Sequence, residues 1–348
     1  MTYNKIIDQK VQNPIEDHVT SPAHSIGKKL FWYPFFEWLV EKINDFCNYL
    51  RYFLHIWNKS ITFVVRNRVQ RYNFFLKLPN LWTTIIRKMQ QVHAKKYLGQ
   101  HFLKDLSVAQ KIADTISQGP VLEIGPGMGV LTQFLIQNPA IDLTAIEIDR
   151  ESVAYLHETM PNLHLIEGDF LKLDLNELYP TGTFSVIGNY PYNISSQIFF
   201  KVLEYKDRIP ICSGMIQKEV AERLASKPGN KAYGILSVLL QAYYDIEYLF
   251  TVDEYVFAPP PKVKSAVIRC TRNQRQQLEC DEQLFKSVVK TAFNQRRKQL
   301  RNSLQSLVHD AQCTIHDDKD PIFNKRPEQL SVEEFIQLTL KIQALCQK

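Results

Sequence analysis

The chain has 348 residues, 45% of them hydrophobic, which is enough for two or three domains with ordinary buried cores and excludes a globally disordered protein. The net charge of +6 suggests a polyanion partner, yet residues 1–90 hold 13 of the 42 Lys and Arg and only 6 of the 36 Asp and Glu, so the remainder is nearly neutral. Polyanion binding by that remainder must come from local patches.

Cys47, Cys212, Cys270, Cys280, Cys313 and Cys346 lie far apart, with no C-x-x-C pair and no histidine at zinc-finger spacing. This argues against a disulfide framework or a structural metal and predicts a reducing, cytoplasmic setting. Met1 to Lys29 is polar and has no apolar core of a secretory signal.

Residues 1–88 read as a separate extension, basic and helical in pattern. They carry all four tryptophans and, from Lys28 to Leu98, no glycine. The aromatic run Phe31 to Trp57 is broken by Glu37, Glu41, Lys42, Asp45 and Arg51, short of the roughly 18 uncharged apolar residues of a membrane span. Two readings stand: an amphipathic extension that touches membrane or RNA, or an upstream stretch outside the native product, with the functional protein starting near Met89.

From Gln110 onward helix and strand alternate. A stretch with Val108, Ile112, Ala113 and Ile116 on one face leads to a strand over Val121–Ile124, a glycine turn, and a helix through Leu131, Phe134 and Leu135. Further strands are predicted over Leu143–Ile148, Leu163–Ile166 and Phe184–Ile187. This β-α-β-α-β order implies a largely parallel, doubly wound α/β sheet with ligands at the carboxyl ends of its strands. A strand at Ala266–Cys270 closes a domain over residues 89–271. The rest, 272–348, reads as a small all-helical domain: a linker over Arg272–Gln277, a helix over Gln283–Ala292, a basic helical stretch over Arg296–Leu307, and a last helix opening with the capping box Ser331-Val332-Glu333-Glu334.

The turn reads Glu123-Ile124-Gly125-Pro126-Gly127-Met128-Gly129. Its glycines let backbone approach a ligand closely, but Val130 stands where a dinucleotide fingerprint needs its third glycine, which counts against NAD and favours S-adenosylmethionine. Glu147 ends the next strand, where a carboxylate can accept both ribose hydroxyls; a capping or surface acid is the alternative. Asp169 ends the third strand and can accept from the adenine amine of the cofactor, or be a plain turn aspartate.

After the fourth strand comes Asn189-Tyr190-Pro191-Tyr192. The exocyclic nitrogen of adenine is a poor nucleophile because its lone pair is delocalised into the ring. An Asn189 amide oxygen and a Tyr190 carbonyl that both accept its N–H bonds draw it toward tetrahedral geometry. Pro191 fixes the backbone, and Tyr192 offers a stacking face worth roughly 1–3 kcal/mol to a base taken out of its stack. Positioning and electrostatics suffice, with no metal and no dedicated strong base.

These motifs resemble those of the ribosomal RNA adenine N6-dimethyltransferases, most closely the bacterial KsgA type, over roughly residues 93–340. The resemblance also rests on Lys95-Lys96-Tyr97-Leu98-Gly99-Gln100-His101-Phe102-Leu103, Gln217-Lys218-Glu219, Ala232-Tyr233-Gly234, Phe257-Ala258-Pro259-Pro260-Pro261-Lys262-Val263, and Phe293 to Leu304. It implies a Rossmann-like S-adenosylmethionine-dependent sheet. It also implies dimethylation of two adjacent adenosines near the 3′ end of small-subunit (16S) RNA, on naked RNA or a pre-30S particle, by a monomer. By family likeness Gly125, Gly127, Glu147, Asp169 and Asn189 hold the cofactor, together with His101 and Leu103 of the opening motif. His101 stands where the family carries Asn and presents an imidazole of different shape.

Arg296, Arg297, Lys298 and Arg301 crowd four cations into six positions and, with Lys95 and Lys96, form the expected RNA footprint along a helix face. A solvated helix is the plainer alternative. The rivals are a large-subunit methylase of the macrolide-resistance type and an assembly factor without catalysis. A DNA adenine methylase lacks its target-recognition insert here, and a nicotinamide oxidoreductase has no use for Asn189 to Tyr192.

Overall fold

The computed structural model describes residues 92–308 and 319–346. The expected extension 1–88 and the start near Met89 lie outside the described residues. The strands are β1 (Phe102–Leu103), β2 (Gly119–Ile124), β3 (Ile141–Glu147), β4 (His164–Glu167), β5 (Ser185–Asn189), β6 (Ile211–Gln217), β7 (Tyr244–Val252), β8 (Phe257–Ala258) and β9 (Ser265–Arg272). The helices are α1 (Leu106–Ala113), α2 (Thr132–Gln137), α3 (Arg150–Thr159), α4 (Leu175–Leu178), α5 (Ser195–Glu204), α6 (Lys218–Ala225), α7 (Ile235–Gln241), α8 (Glu282–Asn294), α9 (Leu300–Ser303) and α10 (Val332–Cys346).

Seven strands form one sheet in the order β4-β3-β2-β5-β6-β9-β7. The first five run parallel, while β9 is antiparallel to both β6 and β7. The four strands expected around the glycine turn are all present, shifted by one or two residues at their ends. Two strands that the sequence reading did not resolve, β6 and β7, widen the sheet.

Alternate residues of each strand enter opposite cores, as the period of two requires. Val121, Ile187 and Met215 face a core with α1, whereas Leu122, Val186 and Ile216 face the other. Phe285, Val288, Val289 and Phe335 of α8 and α10 belong to that second core, so the C-terminal helices bury their apolar stripe in one continuous body with the sheet. The boundary expected at 272 falls at the last residue of β9.

Local signals explain the helix starts. Asp105 accepts from the amides of Ser107 and Val108 at the head of α1, and Asp281 from Leu284 at the head of α8. The expected capping box closes as read: Glu334 N donates to Ser331 Oγ at 3.1 Å and Ser331 N to Glu334 Oε2 at 2.9 Å. The basic stretch Arg296–Leu307 is not one helix. Arg296–Lys298 form a turn, α9 is four residues long, and Leu300 N donates at 2.9 Å to Lys325 O outside the stretch. No helix of the described residues is long and apolar enough to cross a membrane.

Candidate active site

β2 lies where the strand order reverses, with β3 on one side and β5 on the other, and open α/β sheets bind ligands at such a point. The glycine turn leaves its carboxyl end and adopts left-handed geometry, with φ of 67° at Gly125, 58° at Gly127 and 76° at Gly129. A Cβ at Gly129 would stand 2.6 Å from the Met160 methyl, and one at Gly127 3.1 Å from the Phe102 ring, so a side chain would be strained by the left-handed backbone and would have to displace a neighbour. The turn lines the pocket from Gly125 to Met128, and Leu131, which precedes α2, lines it as well.

One pocket is lined by Gly125, Gly127, Glu147, Asp169, Asn189, Tyr190, Pro191, Tyr192, His101 and Leu103 together, so every expected cofactor and acceptor residue reaches a single cavity. Glu147 is 4% exposed and accepts from Gly127 N at 3.0 Å through one oxygen, and from Ile148 N and Asp149 N at 2.8 and 2.9 Å through the other. Burial pushes its carboxyl up against those three donors. The Gly127 bond ties the glycine turn to the end of β3, and the oxygen that makes it keeps acceptor capacity for a ribose hydroxyl. Asp169 is both things weighed for it. It caps its own turn by accepting from Leu171 N at 2.9 Å, and it lines the pocket.

Two features of the cofactor side escaped the sequence reading. Glu123, in the middle of an apolar strand, is 1% exposed and lines the pocket, and its Oε2 is a buried oxygen without a hydrogen-bond partner. Burial pushes its carboxyl up to about 8, with the Thr132 hydroxyl opposing and the charge of Glu147 adding. The second is a clasp at Asp149, which is buried. Burial alone would raise its carboxyl, but the Lys95 ammonium and the Gln100 amide hold it below the usual range. Lys95 pairs with Asp149 and, at 3.2 Å, with Glu151; Gln100 Nε2 donates to Asp149 at 3.2 Å and its Oε1 accepts from Lys95 N at 2.8 Å. A carboxylate inside an apolar strand was the available signal for Glu123, whereas the clasp depends on contacts to Asp149 across 49 and 54 positions.

On the acceptor side, Asn189 Nδ2 donates to His101 O at 3.0 Å, leaving Oδ1 as the amide atom free for a ligand. The His101 ring turns away from the amide: Nδ1 donates to Pro259 O at 2.8 Å, and the ring lies 5.3 Å from that of Tyr192. The Tyr190 ring is fully buried behind the pocket. Its hydroxyl donates to Ser213 O at 2.7 Å, in space kept open by Gly188 and Gly214, where a Cβ would come within 3.0 Å of the ring. Only the backbone of Tyr190 can therefore serve the site. The Tyr192 hydroxyl bonds Ser265 Oγ on β9, fixing the ring by its far end.

The cations separate into two kinds. Lys95 is committed to the clasp, Arg296 donates to Asn230 O at 3.3 Å with Glu328 3.7 Å away, and Arg301 donates to Asn324 Oδ1 at 3.1 Å. Lys96, Arg297 and Lys298 are exposed. The expected footprint is thus divided between side chains that tie the fold and side chains that face solvent.

The donor set fits a sulfonium nucleoside. It offers carboxylates for sugar hydroxyls and an amine, an unpartnered buried oxygen, and a glycine turn that a Cβ would fill. The family description "Ribosomal RNA adenine dimethylase" matches residues 91–343. "Ribosomal RNA small subunit methyltransferase A" of Parabacteroides distasonis is 66% identical over 257 residues, 72% of this chain and 95% of the relative. The protein of the same name from Porphyromonas gingivalis strain W83 is 61% identical over 261 residues, 73% of this chain and all of the relative. Among solved structures, the 23S rRNA methyltransferase ErmE is 27% identical with a TM-score of 0.51, covering 68% of this chain and 98% of its own. A dimethyladenosine transferase from Plasmodium falciparum, 24% identical over 70% of this chain and 98% of its own, shares the fold with a TM-score of 0.58. The chain belongs to the ribosomal RNA adenine dimethylase family.

Proposed function

We propose that this chain uses S-adenosylmethionine to place two methyl groups on the exocyclic nitrogen of each of two adjacent adenosines near the 3′ end of small-subunit ribosomal RNA. The observation that carries the reading is the Asn189 amide. Its Nδ2 is spent on His101 O, so its remaining polar atom is an acceptor at the mouth of a pocket that also holds the glycine turn. An adenine amine presents two N–H donors, and Asn189 Oδ1 and Tyr190 O are the two acceptors assigned to them.

Bound beside them, S-adenosylmethionine supplies a methyl on a positively charged sulfur that a nitrogen lone pair can attack. Glu147 and Asp169 hold its ribose and adenine, and Glu123 offers an oxygen to its amino-acid end. Asn189 Oδ1 and Tyr190 O draw the substrate nitrogen toward tetrahedral geometry and freeze its orientation, and a proton leaves that nitrogen for solvent after transfer. Tyr192, held through its hydroxyl by Ser265, stacks on the extruded base.

Identities of 61–66% to small-subunit relatives, against 27% to a large-subunit enzyme, favour the small-subunit substrate. The enzyme acts as a cytoplasmic monomer on a pre-30S particle or its RNA, and residues 89–348 form the catalytic unit, with 272–348 contributing the RNA contacts of Arg297 and Lys298. Mapping methylated nucleotides in small-subunit RNA from cells with and without the gene tests the reading. Paired dimethyladenosines that vanish with the gene are expected, and an unchanged pattern refutes it.

A further inference from the structure

Extruding a base costs its neighbours as well as itself, because each neighbour loses the face it was stacked on. An enzyme that works this way gains from an aromatic surface at the pocket mouth, beyond the ring that holds the extruded base itself.

Tyr97 is such a surface. The residue is 75% exposed, the largest fraction of any large apolar residue among the described residues. It sits in the 3-10 turn Lys96–Leu98, whose last residue Leu98 and the following Gly99 line the pocket. The turn is held at both edges of the site. On the cofactor side, Lys95 and Gln100 are locked onto Asp149 by the clasp. On the acceptor side Asn193, directly after Tyr192, donates through Nδ2 to Tyr97 O at 3.3 Å. Gly99 closes the turn in left-handed geometry at a φ of 67°, so near Asn193 that a Cβ would lie 2.6 Å from Oδ1. A backbone this constrained carrying a ring this bare is unusual: burial does not explain the ring, and the anchoring holds it beside the mouth at little conformational cost. Tyr255 is nearly as exposed, at 71%, but its neighbour Val256 is tied to Lys104, farther along the β1–β8 ribbon from His101 and the pocket. Lys96, exposed beside Tyr97, suits the phosphate that joins the two nucleotides.

We propose that Tyr97 is a positioning residue of this reaction, giving the nucleobase adjacent to the extruded adenine a ring to stack on in place of its lost neighbour. This rests on the function proposed above and adds a contact outside the pocket. The ring touches neither the donor nor the reacting nitrogen, so its effect is confined to engaging RNA.

The test compares wild type, Tyr97→Ala and Tyr97→Phe in the full chain on small-subunit RNA isolated from cells lacking the enzyme. Methyl transfer is measured at varied RNA, and donor affinity by calorimetry. Tyr97→Ala should raise KM for RNA five- to thirtyfold, about 1–2 kcal/mol for one base stack. It should leave kcat within threefold and donor affinity unchanged, and Tyr97→Phe should restore KM. RNA made abasic at one of the two neighbours of the target should cost wild type a similar factor and Tyr97→Ala nothing more. An unchanged KM in Tyr97→Ala, or a loss of donor binding that Phe does not rescue, overturns the assignment. Wild type that places no methyl on the RNA refutes the proposed function, and Tyr97 with it.

Discussion

The pocket and the basic tail are both polar clusters read from the same sequence, and they use their polar groups in opposite ways. In the pocket the key groups are held by backbone partners: Glu147 by three amides, Asn189 Nδ2 by the His101 carbonyl, and Tyr190 by the Ser213 carbonyl. In the tail, Arg297 and Lys298 stand in solvent on a turn, while Arg296 and Arg301 brace neighbouring segments. A buried, preorganised group concentrates its effect in a few atoms, whereas exposed cations spread theirs over a salt-screened field. Single substitutions should therefore be severe in the first region and graded in the second.

The severest is Asn189→Ala, which removes the oriented acceptor. It should cut transfer by about 10²–10³ or more, the scale of losing one preorganised hydrogen-bonding group, with circular dichroism and melting near normal. Near-normal dimethylation by this variant would contradict its role.

The residues behind that prediction were also the most legible in the sequence. Apolar runs over Val121–Ile124, Leu143–Ile148 and Phe184–Ile187 placed the glycine turn, Glu147 and Asn189 at or near strand ends from local pattern alone, and a doubly wound sheet brings such ends together whatever the intervening loops do. Glu123, Gln100 and Asn193 were not legible as site residues, because their roles arise from burial and from partners distant in sequence. The stretch Arg296–Leu307 was read as one helix because its composition suits one. Consecutive cations gain nothing from a helical face, and Leu300 instead bonds the Lys325 carbonyl while packing into the core, so tertiary contacts decide the backbone there.

Glu123 gives the next largest effect, and its sign follows from its raised carboxyl. The folded protein keeps the proton up to about pH 8, while the unfolded chain releases it near 4.5, so folding stability declines as pH rises between those values and then levels. Glu123→Gln removes the titration. In thermal melts of the ligand-free protein, the variant should gain on wild type between pH 5 and pH 9 by about 4 kcal/mol. A constant difference across that range would show that the buried carboxyl does not titrate there.

Tyr192→Ala should lose about 1–3 kcal/mol of base stacking, seen in steady-state assays chiefly as a raised KM for RNA with donor affinity retained. A fall in donor affinity matching the fall in activity would place the ring on the cofactor side instead. In the tail, Arg297→Ala with Lys298→Ala should weaken RNA binding and flatten the slope of log affinity against log salt by about 1–2, at one phosphate per cation. Arg296→Ala should instead lower the melting temperature, through loss of its bonds to Asn230 and Glu328. If both variants changed only the salt slope, the division into bracing and solvent-facing cations would be wrong. The smallest expected effect is from starting the chain at Met89, which should leave transfer to RNA within twofold of the full chain; a larger loss would give residues 1–88 a part in substrate binding.

The central claim is that one pocket holds the donor and an extruded adenine, with the adenine amine between two oxygen acceptors. A crystal structure with S-adenosylhomocysteine and adenosine tests it most directly. The account predicts the adenosine amino nitrogen within hydrogen-bond distance of Asn189 Oδ1 and Tyr190 O, with its ring against Tyr192. Adenosine bound elsewhere, or with its amine turned away from both oxygens, would contradict it.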